Sequence, residues 1–173
     1  MKEDKRLHHS EPATGYIKSW KTDTYKRYLQ NLFKLEPVEH HARLKTSSEV
    51  FSIVIHNWDE DVMDSVKAYK TVVLDSCDRP LRSVYFEPNA PIDLDHIKTL
   101  FEVIRSQIDT AASVVICRNN ASKPFLPDEQ EKRVAASFRN YGKKVHIPVI
   151  DQFVVSSMGM YRFQTEDYLE TTV

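Results

Sequence analysis

The segment that most limits the fold of this chain lies at residues 111–133. A run of small and β-branched residues, Ala112, Ser113, Val114, Val115, Ile116 and Cys117, stops abruptly at Arg118-Asn119-Asn120-Ala121-Ser122-Lys123. A run with no polar face reads as a buried strand, the kind that sits at the centre of a covered sheet. A loop bounded by Pro124 and Pro127 follows, and a charged helix opens at Pro127-Asp128-Glu129. A buried strand that breaks into a polar loop ahead of a helix start is where α/β proteins place chemistry. The strand's carboxyl end leaves side chains in a crevice there.

Composition narrows the class. The 173 residues suit one domain with a substantial core, and the 41% hydrophobic and 28% charged residues are an ordinary globular balance. A formal net charge of -1 carries no bias toward nucleic acid or toward acidic partners. No apolar run reaches the ~18 residues of a membrane span, and the start, MKEDKRLHHSEP, lacks the apolar core of a secretory signal. Cys77 and Cys117 are too few for a disulfide framework, so the expected setting is the cytoplasm. Three glycines (Gly15, Gly142, Gly159) exclude a glycine-rich phosphate cradle.

Along the chain, residues 1–20 read as a flexible polar arm, with His8-His9 and, further on, His40-His41 as solvated pairs. Residues 21–44 read as an N-terminal helix and connector. Thr22-Asp23-Thr24 offers caps to a helix with Tyr25, Tyr28, Leu29, Leu32 and Phe33 on one face. Glu36-Pro37 ends it, and an extended piece follows at Ala42–Leu44. Ser47 or Ser48 caps a second helix that carries Val50, Phe51, Val54, Ile55 and Trp58 inward, and Asp59-Glu60-Asp61 is a solvated turn.

Tyr69–Leu74 and Leu81–Phe86 are strands joined through Asp78-Arg79-Pro80. Asp93 caps a helix with Leu94, Ile97, Leu100, Phe101, Ile104 and Ile108 on its apolar face, ahead of the strand at 112–117. The helix after Pro127 turns Val134, Ala135 and Phe138 inward and stops at Gly142. Strands at 146–150 and 153–156 follow, then a last one at Met160–Phe163. The tail, 166–173, is acidic and expected to fold back as a short helix around Tyr168. This order predicts an α+β or α/β fold with a single mixed β-sheet flanked by helices.

Over residues 45–165 the chain resembles the RadC-like branch of the JAB/MPN (JAMM) family, in its longer form from Bacteroides-like bacteria. The order of elements carries the likeness, together with the segment Gly-Lys-Lys-Val-His-Ile-Pro-Val-Ile-Asp-Gln-Phe-Val-Val (142–155). That segment is similar to the family's Gly-x-x-x-x-Ile-Pro-x-x-Asp-His-x-Ile-Ile. The resemblance implies a JAB/MPN, cytidine-deaminase-like architecture. For an active member it implies metal-assisted hydrolysis: two histidines of a strand-end His-x-His and an aspartate on the next helix hold zinc, with water in the fourth position. A glutamate on the first strand then serves as general base, and a serine at the helix start stabilises the oxyanion.

Carried onto this sequence, the histidine positions fall on Arg118 and Asn120, the serine on Asp128, the aspartate on Glu131 and, within a residue of register, the glutamate on Lys67. Gln152 replaces the histidine after Asp151. Arg118 has no lone pair for a metal, Lys67 adds a second cation, and Asn120 offers only an amide oxygen. The resulting expectation is a zinc-free pseudoenzyme with no cofactor. Its degenerate positions are Lys67, Arg118, Asn120, Asp128 and Glu131, and its candidate binding residues are Arg118, Asn119, Asn120, Ser122, Lys123 and Asp151.

Two arrangements are open for the remodelled site: an anion or acidic-peptide pocket formed by Arg118, Lys123, Lys67 and Arg133, or internal salt bridges from these cations to Asp128, Glu129 and Glu131. The function classes are a binding or scaffold module for a protein or peptide partner, a DNA-repair-associated protein, and a hydrolase with a shifted site of Asp128, Glu129, Glu131 and Asp151. Nucleic acid as a partner is implied by the family's label alone. Cys117 beside Arg118 reads as a core residue before it reads as an activated thiol.

Overall fold

The computed structural model describes residues 14–39, 42–56, 58, 63, 65–119, 126–156, 159–163 and 167–170. Its centre is β4 (Ser113–Asn119), every residue of which is buried. It is the fourth of seven strands in one sheet ordered β1-β3-β2-β4-β5-β6-β7. The others are β1 (Lys34–Pro37), β2 (Tyr69–Leu74), β3 (Pro80–Phe86), β5 (Val149–Ser156), β6 (Gly159–Arg162) and β7 (Asp167–Glu170). Four α-helices are described: α1 (Thr14–Leu32), α2 (Ser47–His56), α3 (Leu94–Gln107) and α4 (Glu129–Lys144).

All strand pairs are antiparallel except β4 with β5. Helix α3 carries the chain from β3 over β2 to β4, and α4 carries it from β4 to its parallel neighbour β5, the two crossovers that a mixed sheet requires. The sheet is therefore mixed and helix-flanked, as the order of segments led one to expect.

Alternation along the strands sends side chains into two cores. Tyr69, Val73, Val84, Phe86, Val114 and Ile116 face one way and pack with Ile97, Leu100, Phe101 and Ile104 of α3 and Phe138 of α4. Val72, Leu74, Val115, Cys117, Phe153 and Val155 face the other way, against Val50 and Val54 of α2 and Trp58. A strand buried on both faces has no polar alternation, which is why 112–117 reads as a plain apolar run.

Several local expectations are corrected. Residues 14–20 are helical, so only 1–13 of the expected arm fall outside the described residues, and Thr22-Asp23-Thr24 lies inside α1. Tyr16, Ile17 and Trp20 already stand at helical spacing ahead of Tyr25, Tyr28 and Leu29. The helix ends at Leu32, and Glu36-Pro37 belongs to β1, an edge strand where a residue without an N–H is tolerated. Ala42–Leu44 is not a strand; Leu44 N–H instead donates to Asp78 O at 2.9 Å. The oxygen that caps α2 belongs to Thr46, whose Oγ1 accepts Glu49 N–H, while Glu49 Oε2 accepts Thr46 N–H.

Gly142 does not end α4, which continues to Lys144; a Cβ there would sit 2.7 Å from Ile147 O. The left-handed residue is His146, with φ 61, so 146–148 turns and the two expected strands are one, Val149–Ser156. Residues 167–170 form β7 and not a helix. His8-His9, His40-His41 and Asp59-Glu60-Asp61 lie outside the described residues.

Candidate functional site

The carboxyl end of β4 projects two consecutive polar residues to opposite faces. Asn119 goes toward the α2 side, where its side chain is fully buried. Its Oδ1 accepts Ala68 N–H at 2.6 Å and its Nδ2 donates to Met63 O at 2.8 Å and Val66 O at 2.5 Å. The backbone adds Asn119 N–H to Ala68 O at 3.1 Å. Asn119, expected among the binding residues, forms a post that fixes the chain leading into β2.

Arg118 faces the α3/α4 side and is 4% exposed. It lies opposite the start of α4, where Asp128 is the N-cap. Asp128 Oδ1 accepts Glu131 N–H at 2.8 Å, and Glu131 Oε2 accepts Asp128 N–H at 3.0 Å. The N–H accepted from Glu131 holds the exposed Asp128 carboxyl below the usual carboxylate range. This reciprocal cap aims Glu131 at the strand end.

Arg118 Nη2 lies 2.5 Å from Glu131 Oε2, an ionic contact in which the N–H is not aligned as a directed hydrogen bond. Arg118 Nη1 donates to Asn119 O at 3.1 Å. Lys67 Nζ reaches Glu131 Oε1 at 3.6 Å from the segment that Asn119 fixes. Of the expected site residues, then, the structure brings together Lys67, Arg118, Asp128 and Glu131. Arg133 Nε turns instead to Glu129 O. Asn120, Ser122 and Lys123 lie outside the described residues.

Neighbouring groups complete the setting. Burial pushes the Tyr69 hydroxyl up to about 12, partly opposed by the nearby Arg118 charge. Burial also raises the Cys117 thiol strongly, and Arg118 and Lys70 do not reverse this. Cys117 is therefore a core residue, not an activated nucleophile.

Asp151 does not join the cluster. It pairs in register with Val115 and shares that residue's face, toward α2. Both its oxygens accept Arg162 Nε at 2.9 Å, Arg162 Nη2 is 2.7 Å from Oδ2, and Oδ1 accepts Gln152 N–H. This corrects the shifted-site expectation: Asp128, Glu129 and Glu131 are on one face of the sheet and Asp151 is on the other. Among the described residues no three His, Cys, Asp or Glu side chains gather as a metal group.

The zinc that the resemblance implies does not fit the described residues. Of the donor positions, Arg118 offers a guanidinium without a lone pair, Asn120 lies outside the described residues, and the Glu131 carboxylate is engaged by Arg118 and by Lys67.

Sequence reasoning missed three features: the Asn119 post, the Arg162 partner of Asp151, and a cluster at the α1–α3 contact. There Tyr25 Oη donates to Asp93 Oδ2 at 2.7 Å, and the buried His96 ring lies 2.8 Å from Asp93 Oδ1. The Asp93 cap was legible from its position before Leu94; its long-range tyrosine partner was not.

Residues 96–168, from α3 into β7, match the family model of the RadC-like JAB domain. That stretch is similar to a RadC-like JAB domain, and the mixed sheet with its helices agrees with such a fold. No curated protein matches the chain. Among the described residues no helix is long and apolar enough to cross a membrane.

Proposed function

We propose that this RadC-like JAB domain is a zinc-free form that acts as a binding or scaffold module for a protein or peptide, not as a hydrolase. The observation that carries the reading is the convergence of Arg118 and Lys67 on Glu131, at 2.5 and 3.6 Å. At an effective dielectric near 20, unit charges 4 Å apart interact by about 4 kcal/mol, and a dication doubles this. Two cations at the site therefore oppose a metal in addition to supplying no lone pair. The structural role of the pairs follows from the same geometry, since they tie the strand end to the helix start.

Beside the cluster runs an open groove of about 360 Å³, with Lys67, Tyr69, Pro88, Pro91, Ile92 and Val134 among its lining residues. An extended segment of a protein partner would lie there, on apolar walls next to charged groups.

The test is metal content. Purified protein incubated with zinc is expected to retain no stoichiometric metal by elemental analysis and to hydrolyse no peptide or isopeptide bond above background. One bound zinc per chain that maps to residues 118–131 by anomalous scattering refutes the proposal. The combined variant Arg118→His, Asn120→His, Glu131→Asp and Lys67→Glu is expected to gain zinc affinity. A well-folded variant that does not would refute the assignment of these positions to the family's ligand frame.

A further inference from the structure

Between β2, β4, β5 and α4 lies a half-open pocket with about 20 Å³ of room for water, lined among others by Tyr69, Arg118, Glu131, Phe138, Gln152 and Phe163. Two of these residues bring unmet hydrogen-bonding capacity into it. Gln152 is 3% exposed and its Oε1 has no partner; Arg118 is 4% exposed and its Nη2 makes no directed hydrogen bond. The strands explain why the two face the same space. Gln152 stands opposite Ile116 and Arg118 opposite Val154, so both side chains leave the same face of adjacent parallel strands, one pleat apart.

A buried carbonyl oxygen without a donor is costly, and native structures rarely leave such a group unmet; Arg118 Nη2, in ionic contact with Glu131, supplies N–H groups beside it. A water needs roughly 10–15 Å³ and two to four polar partners. The pocket meets the first condition with little to spare. We propose that it is the site of one buried water that accepts from Arg118 Nη2 and donates to Gln152 Oε1, with the Glu131 carboxylate on the same wall as a second acceptor.

The water would join β4, β5 and α4 where the resemblance places the reacting centre of an active relative. It fills the space that an incoming substrate carbonyl would need. Gln152, the replacement for a family histidine, then has a definite role as the acceptor of the water's proton. This inference stands independently of zinc binding, because a metal titration and a water site are read separately.

The experiment is a high-resolution crystal structure of the full chain, with a second crystal soaked in bromide. The expected result is one peak within hydrogen-bond distance of both Arg118 Nη2 and Gln152 Oε1, with no anomalous signal after the soak. A dry pocket, a direct Arg118–Gln152 hydrogen bond, or a bromide peak at that point overturns the proposal. Gln152→Met supplies a reading by sign. If the water is present, the apolar side chain strands its proton, and Tm falls by about 2–8 °C. If Gln152 is simply unpaired, removing it raises Tm, which also overturns the proposal. Should the variant not fold, the wild-type crystals still decide the question.

Discussion

Glu131→Gln separates the charge of the ion cluster from the start of α4. A glutamine at the third helical position still accepts the Asp128 N–H, so the reciprocal cap survives. What is lost is the carboxylate charge 2.5 Å from Arg118, a residue only 4% exposed. Breaking a buried ion pair on one side costs about 3–5 kcal/mol, because the remaining charge is left without compensation. Glu131 keeps 17% of its side chain exposed, which admits water on one side and points to the lower end, about 3 kcal/mol. For a domain of this size that is a fall in Tm of about 6–12 °C.

Urea titration and thermal melts measure the loss, with the urea slope expected to stay constant. Arg118→Met combined with Glu131→Gln should recover most of it, since an apolar replacement of a buried pair is near neutral. Lys67→Met should cost no more than about 0.5 kcal/mol, the value of an exposed pair. A loss below about 0.5 kcal/mol for Glu131→Gln, or a double variant whose loss is the sum of the singles, would refute the buried-pair reasoning.

Asn119→Leu removes three side-chain hydrogen bonds to the backbone of 63–68; a loss of about 3 kcal/mol and faster amide exchange at Ala68 are expected, and unchanged exchange contradicts the post. Gly142→Ala gains about 1 kcal/mol in helix propensity but sets a Cβ 2.7 Å from Ile147 O and 3.2 Å from Phe101 Cζ. Overpacking should outweigh the gain, for a net loss of about 1–2 kcal/mol in urea melts. Burial raises the Asp93 carboxyl, but hydrogen bonds from Tyr25 and His96 outweigh it and bring the group down to about 2. Its contribution is therefore complete above the ordinary value of about 3.9 and is lost as pH falls toward 2. Tm measured against pH should show an acid limb between these values that flattens in Asp93→Asn.

The central strands were legible because the apolar run 112–117 and the β-branched and aromatic residues of 69–74 and 81–86 need no partner to be recognised. The edges were not. Lys34–Pro37 has no strand signature of its own and becomes one only through its register with β3. Tyr168, with acidic neighbours, suggested a helix, yet pairing with β6 makes 167–170 a strand. His146 hid the break between α4 and β5, since a left-handed non-glycine residue has no mark in the sequence. The cluster of Lys67, Arg118 and Glu131 could be foreseen as a set because a family frame placed the three. Asn119 and Arg118 show what the frame lacks. They are neighbours in sequence, but pleating sends one to a loop and the other to a helix.

That divergence explains how the described side chains hold the site in shape. Three segments must be fixed at the end of β4: the entry to β2, the strand itself and the start of α4. Asn119 fastens the first to the strand on one face, and Arg118 fastens the third on the other. Lys67 belongs to the first segment and reaches Glu131 in the third, so the arrangement closes on itself. The three links differ in kind. The Asn119 link is buried and directed, the Arg118 link is buried and ionic, and the Lys67 link is half-exposed and ionic, sensitive to salt. Loosening Asn119 should therefore free Lys67 while leaving Arg118 on Glu131, because Arg118 is held by its own strand. Loosening Glu131 disturbs both ionic links at once, which makes this carboxylate, the one charge-type the remodelled site shares with a metal-binding one, the residue on which its geometry depends.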